Sequence, residues 1–505
     1  MINVKLDLNF GFEWFKNSTV ALKGTVYDRQ GQELTIEDIK KDVENCDSLI
    51  RIMHYIETIR GMFSLIINHD NKLYLISDNI RTFPLFYTKV GNEWHVSDKV
   101  SNLVSLSNAN ISESSKQAFL STGYTLGCQT IFDEIYQVQA AEVVELNCSG
   151  IAESAEYWNY RSVDILNDDF YNLQARGIEL VEQAVKRVIK SLNGRQAVIP
   201  LSGGYDSRLI LTLLKHFNYT NVICFTYGSP KSKELSVATS VAEKLGFTCH
   251  VIKYTKSFVN DNLNVNSLKE YMKFAFNGTS VPHLQDYLAV SYLQSKNLID
   301  SDGVFIPGHS GDIFSGTHII GNVKENTERA KVELGLKHKH FRLVEYTGAL
   351  DFPYYDSDNL AYSNMEAWSW KERQSKFIVN SIRTYEYFGY EARIPLWDLD
   401  LANFFRNVPL KYKNRRNLNT YSIESNLYDS ICHKLFHEYG VDNFVRPTDS
   451  LVTRVVRRIV TKFTNIDGVN NLDLIILNLS KNEKLCFKSS KFNGKVAEMQ
   501  LLFLD

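Results

Sequence analysis

The chain has 505 residues, of which 44% are hydrophobic and 23% charged, with a formal net charge of -2, so we expect a globular protein of two or three domains. Because positive charge is not in surplus and charges interrupt every long apolar run, the sequence predicts no nucleic-acid partner, no membrane partner and no signal peptide or transmembrane helix. The seven cysteines are odd in number and lack C-x-x-C spacing, which excludes a disulfide framework or zinc site and favours a cytoplasmic protein.

The first part of the chain, residues 1–160, is predicted to be a β-rich domain. Apolar runs at 63–67 and 73–76 flank a polar turn, and runs at 86–88 and 94–96 flank Gly91 and Asn92. Each pattern is typical of a β-hairpin. Strands gathered ahead of a helical region favour a separate layered domain.

From residue 161 to 505 we predict a second domain, in which strands and helices first alternate. A long amphipathic helix begins near Asp168 and Asp169, and short apolar runs at 196–201, 222–225 and 249–252 are typical of buried strands. Helical patterns separate these runs. The alternation predicts an α/β domain with a parallel sheet flanked by helices.

One glycine-rich turn lies between the predicted strand at 196–201 and the next helix. It consists of Leu201, Ser202, Gly203, Gly204, Tyr205, Asp206 and Ser207. Two glycines allow a close backbone approach to a ligand, and successive N–H groups at a helix start form an anion site. The carboxylate of Asp206 would repel phosphate, which suggests a bridging Mg²⁺.

This turn resembles the PP-loop of the ATP pyrophosphatase superfamily, whose members cleave ATP between the α and β phosphates. Further motifs resemble the asparagine synthetase family. Thr226, Tyr227 and Gly228 resemble its adenine-contacting turn, and residues 308–316 resemble its second glycine-rich loop. The resemblance implies that the ATP and pyrophosphate site consists of Leu201, Ser202, Gly203, Gly204, Asp206, Ser207, Thr226, Tyr227, Gly228 and Gly308. It also implies that Asp206 and Asp312 hold Mg²⁺.

Residues 391–398 resemble the family's E-x-R-x-P-F-L-D stretch. The resemblance to the ring-closing relatives implies a catalytic dyad of His309 and Glu391, in which the imidazole accepts a proton from the amine. The alternative is that His309 is a polar loop residue and Glu391 pairs with Arg393. The family's late lysine has no clear equivalent, and Lys434, Arg446 and Arg454 are candidates.

The N-terminal part resembles the family's glutamine amidotransferase domain, with an Ntn-like layered fold. Residues 61–63, 77–78 and 84–87 carry this likeness. The family's catalytic cysteine follows the initiator Met, and that position is Ile2 here. We therefore expect a degenerate domain without glutaminase activity.

The resemblance implies an ATP-dependent amide ligase that adenylates a carboxylate, with ATP and Mg²⁺ as cofactors. Its substrate would be a small molecule or peptide, and its amine would be ammonia or part of the substrate. Surface-polysaccharide and natural-product biosynthesis are possible settings, and a homodimer or a substrate-supplying partner is possible. The alternatives are an intramolecular macrolactam or β-lactam cyclase and a non-catalytic nucleotide-binding scaffold.

Overall fold

The computed structural model describes residues 2–7, 11–69, 71–320, 323–348, 352, 355–413, 422–444, 473–479 and 487–504. The N-terminal strands are β1 (Ile2–Lys5), β2 (Trp14–Lys16), β3 (Val20–Tyr27), β4 (Arg60–His69), β5 (Lys72–Ser77), β6 (Phe86–Val90), β7 (Glu93–Ser97), β8 (Ile135–Gln137), β9 (Glu142–Asn147) and β10 (Ala152–Glu156). They form one sheet of order β1-β7-β6-β8 and another of order β10-β9-β5-β4-β3-β2. Both predicted hairpins are confirmed, as β4–β5 and β6–β7.

The two N-terminal sheets are layered, and helices cover both. Along β4, Ile66 packs between the sheets, whereas Leu65 and Ile67 pack beneath α1 (Ile36–Val43) and α2 (Leu49–Ile56). This alternation follows from the two-residue repeat of a strand. Helix α3 (Val100–Ser107) packs on the other sheet, followed by α4 (Glu113–Thr122). The β-rich layered architecture is therefore confirmed.

The second sheet system is parallel throughout. Its strands are β11 (Ala197–Pro200), β12 (Val222–Gly228), β13 (Thr248–Lys253), β14 (Val304–Phe305) and β15 (Glu391–Ala392), in the order β13-β12-β11-β14-β15. The chain winds outwards from β11 to β13 and then returns to the other side of β11. In such a sheet, ligands bind beyond the carboxyl ends of the strands where the winding reverses, which is between β11 and β14.

Helices surround this sheet, as the alternating pattern predicts. In chain order they are α5 (Phe170–Leu192), α6 (Tyr205–His216), α7 (Lys233–Leu245), α8 (Lys256–Asn262), α9 (Val265–Phe276), α10 (Tyr287–Ser295), α11 (Arg329–His340), α12 (Ala361–Trp368), α13 (Arg383–Tyr387), α14 (Leu399–Arg406), α15 (Leu427–Glu438), α16 (Asp473–Leu479) and α17 (Phe492–Leu502). Asp169 caps α5, at the predicted start. Within the described ranges, no helix is long and apolar enough to cross a membrane.

A π-helix, Ser369–Ile378, connects α12 towards α13 and packs against the N-terminal domain. Its Trp370 Nε1 donates to Asn79 O at 2.6 Å, and its Lys371 Nζ donates to Ala140 O at 2.7 Å. The buried Lys376 ammonium pairs with Glu372 at 2.6 Å. Runs of π-helix are rare and are frequently found near functional sites. This segment brings the N-terminal domain close to the edge of the parallel sheet.

Candidate active site

The first glycine-rich turn leaves the carboxyl end of β11 and leads directly into α6. Leu201 N donates to Phe225 O of β12 at 2.8 Å, which fixes the start of the turn. Ser202 N donates to Ser207 Oγ, and Gly204 N donates to Ser202 Oγ, both at 3.1 Å. The turn therefore holds its own shape while the amino end of α6 faces outwards, an arrangement that suits a phosphate group.

The second glycine-rich loop, residues 308–316, lies against the first. A Cβ on Gly308 would stand 2.5 Å from Ser207 Cα, and a Cβ on Gly311 would stand 2.7 Å from Asp206 Cγ. Only glycine permits contacts this close. The two loops, which follow β11 and β14, thus meet at the reversal point of the sheet.

Asp206 and Asp312 lie on either side of this contact. The Asp206 carboxylate approaches Gly311, the neighbour of Asp312, and accepts a hydrogen bond from Tyr428 Oη at 2.8 Å. Among the described residues, no group of three or more His, Cys, Asp or Glu side chains could hold a metal. A pair of carboxylates nevertheless suits Mg²⁺, which takes one or two carboxylates and completes its shell with phosphate oxygens and water. The donor set therefore fits Mg²⁺ held jointly with a nucleotide.

The third predicted segment forms the carboxyl end of β12, at the same sheet edge. Thr226 is buried, and Gly228 has φ +146, a conformation that favours glycine. The Tyr227 hydroxyl donates to Asp286, whose other oxygen accepts from Tyr385 Oη at 2.6 Å. Since the Tyr227 side chain is already bound, this segment would offer a nucleotide mainly its backbone.

The predicted dyad of His309 and Glu391 is not formed, so that part of the prediction is wrong. Glu391 is aligned with Val304 at the amino end of β14, whereas His309 lies beyond its carboxyl end. The carboxylate of Glu391 accepts two hydrogen bonds from Arg195, at 2.8 and 3.2 Å, and one from Arg393 at 2.7 Å. Parallel pairing separates the two side chains because it places Glu391 at the opposite edge of the sheet.

The charge environment of Glu391 supports a structural role. Burial alone would raise its pKa, but hydrogen bonds and charges from Arg195 and Arg393 lower the pKa below its usual value. The alternative pairing with Arg393 is therefore present, with Arg195 as a second partner that sequence reasoning missed. Arg195 lies 196 positions away, so no local pattern could have found it.

His309 itself lies beside the second loop. Its Nδ1 is 2.9 Å from Ser310 Oγ, and its enclosed Nε2 has no hydrogen-bond partner within the described part of the chain. Burial, and then the neighbouring His283, lower the pKa of His309 to about 3. The imidazole is therefore neutral at pH 7, but it is a weak base for removing a proton.

Arg208 is a supporting residue that sequence reasoning also missed. It is fully buried, and its guanidinium donates to Gly203 O at 3.2 Å, Phe444 O at 2.5 Å and Val441 O at 3.1 Å. It thus joins the first glycine-rich turn to the segment after α15. Its position directly after Ser207 was the available signal. Lys434, a candidate for the late lysine, is exposed on α15, and Arg446 and Arg454 lie outside the described residues.

A parallel sheet with glycine-rich loops at its reversal point, joined here to a layered β-rich part, is typical of nucleotide-binding α/β proteins. Comparison with family models is specific. The glutamine amidotransferase domain matches residues 51–158, and asparagine synthase matches residues 178–426. The chain therefore contains an asparagine synthase domain preceded by a glutamine amidotransferase domain.

Similar curated proteins agree with this assignment. The microcin J25-processing protein McjC of Escherichia coli is 23% identical over 88% of this chain and 82% of its own length. Asparagine synthetase [glutamine-hydrolyzing] 2 of Bacillus subtilis is 24% identical over 41% of this chain, which spans only 30% of that relative. The 7-cyano-7-deazaguanine synthase of Staphylococcus aureus is 27% identical over 21% of this chain and 45% of its own length.

Proposed function

We propose that this protein is an ATP-dependent amide ligase that converts ATP to AMP and pyrophosphate. The observation that carries the proposal is the meeting of the two loops, where Gly308 lies against Ser207 and Gly311 against Asp206. This contact places N–H donors, hydroxyls and two carboxylates at the reversal point of the sheet. Such a set suits a nucleotide triphosphate and its Mg²⁺.

In the proposed reaction, a substrate carboxylate oxygen forms a bond to the α-phosphorus and pyrophosphate leaves. The N–H groups of the first turn would bind the departing phosphates, and Asp206 and Asp312 would hold Mg²⁺, which would offset the negative charge of those phosphates. An amine then attacks the activated carbonyl, loses a proton and releases AMP. The weakly basic His309 would position this amine, and a solvent molecule or phosphate oxygen would receive the proton.

A second candidate places the carboxylate and the amine in one peptide, so that the product is a macrolactam. The likeness to McjC supports it, because that likeness extends over 88% of this chain, and that protein is named for processing microcin J25. By this likeness the substrate of this chain is a peptide.

We further propose that the amine does not come from glutamine. In the N-terminal domain, burial raises the pKa of both the Cys46 and the Cys128 thiols, which disfavours the reactive thiolate. The buried Lys23 and Glu386 form an ion pair of 2.6 Å between this domain and α13. These features suit a domain that supports the synthetase part.

The test is pyrophosphate and AMP release from Mg·ATP by the wild type and by Asp206→Ala. Carboxylates and acidic peptides are each supplied with ammonium, with glutamine or with no added amine. Substrate-dependent release of both products, abolished by the substitution, supports the ligase. Turnover without added amine and a product lighter by one water favours ring closure.

Three outcomes contradict these proposals. If glutamine supported turnover as well as ammonium does, the N-terminal domain would have glutaminase activity. ATP binding without AMP formation by any substrate would favour the non-catalytic scaffold, and ADP as the product would exclude cleavage at the α-phosphorus.

A further inference from the structure

Basic side chains converge beside the second glycine-rich loop, and they come from segments outside the family motifs. The Lys339 Nζ, on the last turn of α11, donates to Thr317 O, and the Thr317 hydroxyl donates to Asp312 O at 2.6 Å. Arg373, on the π-helix, has its Nη1 3.2 Å from His318 Nε2. We call Lys339 and Arg373, which lie beside His318, the cationic cluster. Through Thr317 it is connected directly to the loop that carries Asp312.

The cationic cluster has no carboxylate of its own. Within the described ranges, no Asp or Glu lies within ion-pair distance of Lys339 or Arg373. Burial and the charges of Arg373 and Arg342 lower the pKa of Lys339 to about 8, while the charges of Asp312 and Glu366 oppose this effect. Burial also lowers the pKa of Arg373. Two half-buried cations near each other are unfavourable alone and become favourable when an anion binds between them.

The surroundings of the cluster suit an organic acid. The buried His340 ring packs 4.8 Å from Trp368, and Tyr124 packs 6.3 Å from Phe377. The Tyr124 hydroxyl is 3.5 Å from His340 Nδ1. Aromatic side chains with a few fixed charges beside them are common in small-molecule sites. The phosphates of ATP, by contrast, would bind to the N–H groups and hydroxyls of the first turn.

We propose that the cationic cluster is a specificity site that binds a carboxylate group of the substrate beside the Mg²⁺-holding loop. This inference rests on the proposed ligase function and adds the recognition of an acidic substrate. Arg373 forms a charged pair with the carboxylate, and Lys339 contacts its second oxygen. A neutral analogue of the same shape would leave both cations unpaired and would bind poorly.

The test uses two probes of equal shape, acetyl-aspartate-methylamide and acetyl-asparagine-methylamide, together with Mg·ATP and pyrophosphate. Calorimetry measures their binding to the wild type, Lys339→Gln, Arg373→Gln and Asp206→Ala. The control is Lys337→Gln, because Lys337 lies on the same helix but donates to Gly348 O. Lys339→Arg tests rescue of charge, and thermal unfolding verifies that each variant is folded.

We expect the wild type to prefer the aspartate probe at least tenfold over the asparagine probe. Lys339→Gln and Arg373→Gln remove this preference and change Mg·ATP binding by less than threefold, whereas Asp206→Ala has the opposite effect. Loss of pyrophosphate or Mg·ATP binding in the two cluster variants, with the probe preference kept, would assign the cluster to phosphate and overturn the proposal. Equal binding of both probes by the wild type would also overturn it.

The two proposals fail separately. If the probe preference is present but no substrate yields AMP, the ligase function fails while the acid site stands. If AMP forms but Lys339→Gln and Arg373→Gln turn over acidic and neutral substrates as the wild type does, only the specificity site fails.

Discussion

At the scale of single residues, Tyr428 controls the carboxylate on which the proposed metal depends. Its hydroxyl donates to Asp206 Oδ1 at 2.8 Å. Groups that orient a metal ligand typically change metal affinity by about 10- to 100-fold when removed. We expect Tyr428→Phe to raise the Mg²⁺ concentration for half-maximal pyrophosphate release by about tenfold.

A magnesium titration of initial rates checks this expectation. Tyr439→Phe is the matched control, because the Tyr439 hydroxyl is 2.9 Å from His216 Nδ1 and makes its contact there. An unchanged magnesium requirement in Tyr428→Phe would show that Asp206 keeps its orientation without the hydroxyl, or that it does not hold the metal.

Glu391 gives a second prediction, because its surroundings are structural. Glu391→Gln leaves Arg195 and Arg393 without their shared negative charge. The side chain is 30% exposed, so solvent screening limits the cost to about 1 kcal/mol. We expect urea denaturation to show this loss, with the rate of pyrophosphate release per folded molecule within about twofold of wild type. If pyrophosphate release by a stably folded Glu391→Gln variant were a hundredfold slower, that result would instead support a catalytic role for Glu391.

The sequence predicted the position of a turn well where strand, turn and helix are consecutive in the chain. The first turn, with Ser202, Asp206 and Ser207, lies where its motif implies because strand, turn and helix are consecutive. Pairing between strands that are distant in sequence could not be predicted in this way. Glu391 illustrates the limit, since its parallel neighbour β14 lies 87 positions earlier and fixes which edge of the sheet it occupies.

At the scale of elements, the π-helix contains a buried ion pair at its contact with the N-terminal domain. Lys376 Nζ is 2.6 Å from Glu372 Oε2 and donates to Gly127 O at 2.8 Å. Removing one partner of a buried pair costs about 3 kcal/mol or more, because the other charge stays buried. We therefore expect Lys376→Met to destabilise the protein by about 3 kcal/mol.

Urea denaturation of Lys376→Met, Glu372→Gln and the double variant measures the coupling between these two side chains. The double variant should be more stable than Lys376→Met, because it no longer buries an uncompensated carboxylate. Additive losses would contradict the prediction.

The regular elements follow from periodicity, whereas the π-helix does not. The strands β11 to β13 and the helices between them agree with the apolar runs. The π-helix contains Lys371, Glu372 and Lys376 at buried positions, which a helical pattern would assign to solvent. Lys371 donates to Ala140 O and Glu156, Lys376 donates to Gly127 O, and Glu372 accepts from Gly127 N. These contacts with the other domain are set by docking of the two domains.

For the whole molecule, buried histidines predict lower stability in acid. Burial lowers the pKa of His318 and of His340 well below the usual value, with Arg373 and Lys339 adding to the effect. The unfolded chain therefore binds protons at these sites below about pH 6.5 while the folded chain does not. Each histidine should reduce the free energy of unfolding by about 1.4 kcal/mol per pH unit below that point.

Denaturant midpoints between pH 8 and pH 5 test this expectation. In His340→Asn the slope of stability against pH should fall by about one proton's contribution. His338→Asn, at an exposed position of the same helix, is the matched control. Parallel curves for wild type and His340→Asn would contradict the assignment.

The bond between Tyr428 and Asp206 joins positions 222 residues apart, and it has a consequence for biosynthesis. The first glycine-rich turn leaves the ribosome long before the second loop, and α15 follows later still. A nascent chain that ends before α15 lacks Tyr428 and therefore part of the proposed nucleotide site. Nucleotide should not bind such an incomplete chain and should not stabilise it. Because ligand stabilises only the state that binds it, ATP in the cell would selectively protect finished chains from proteolysis.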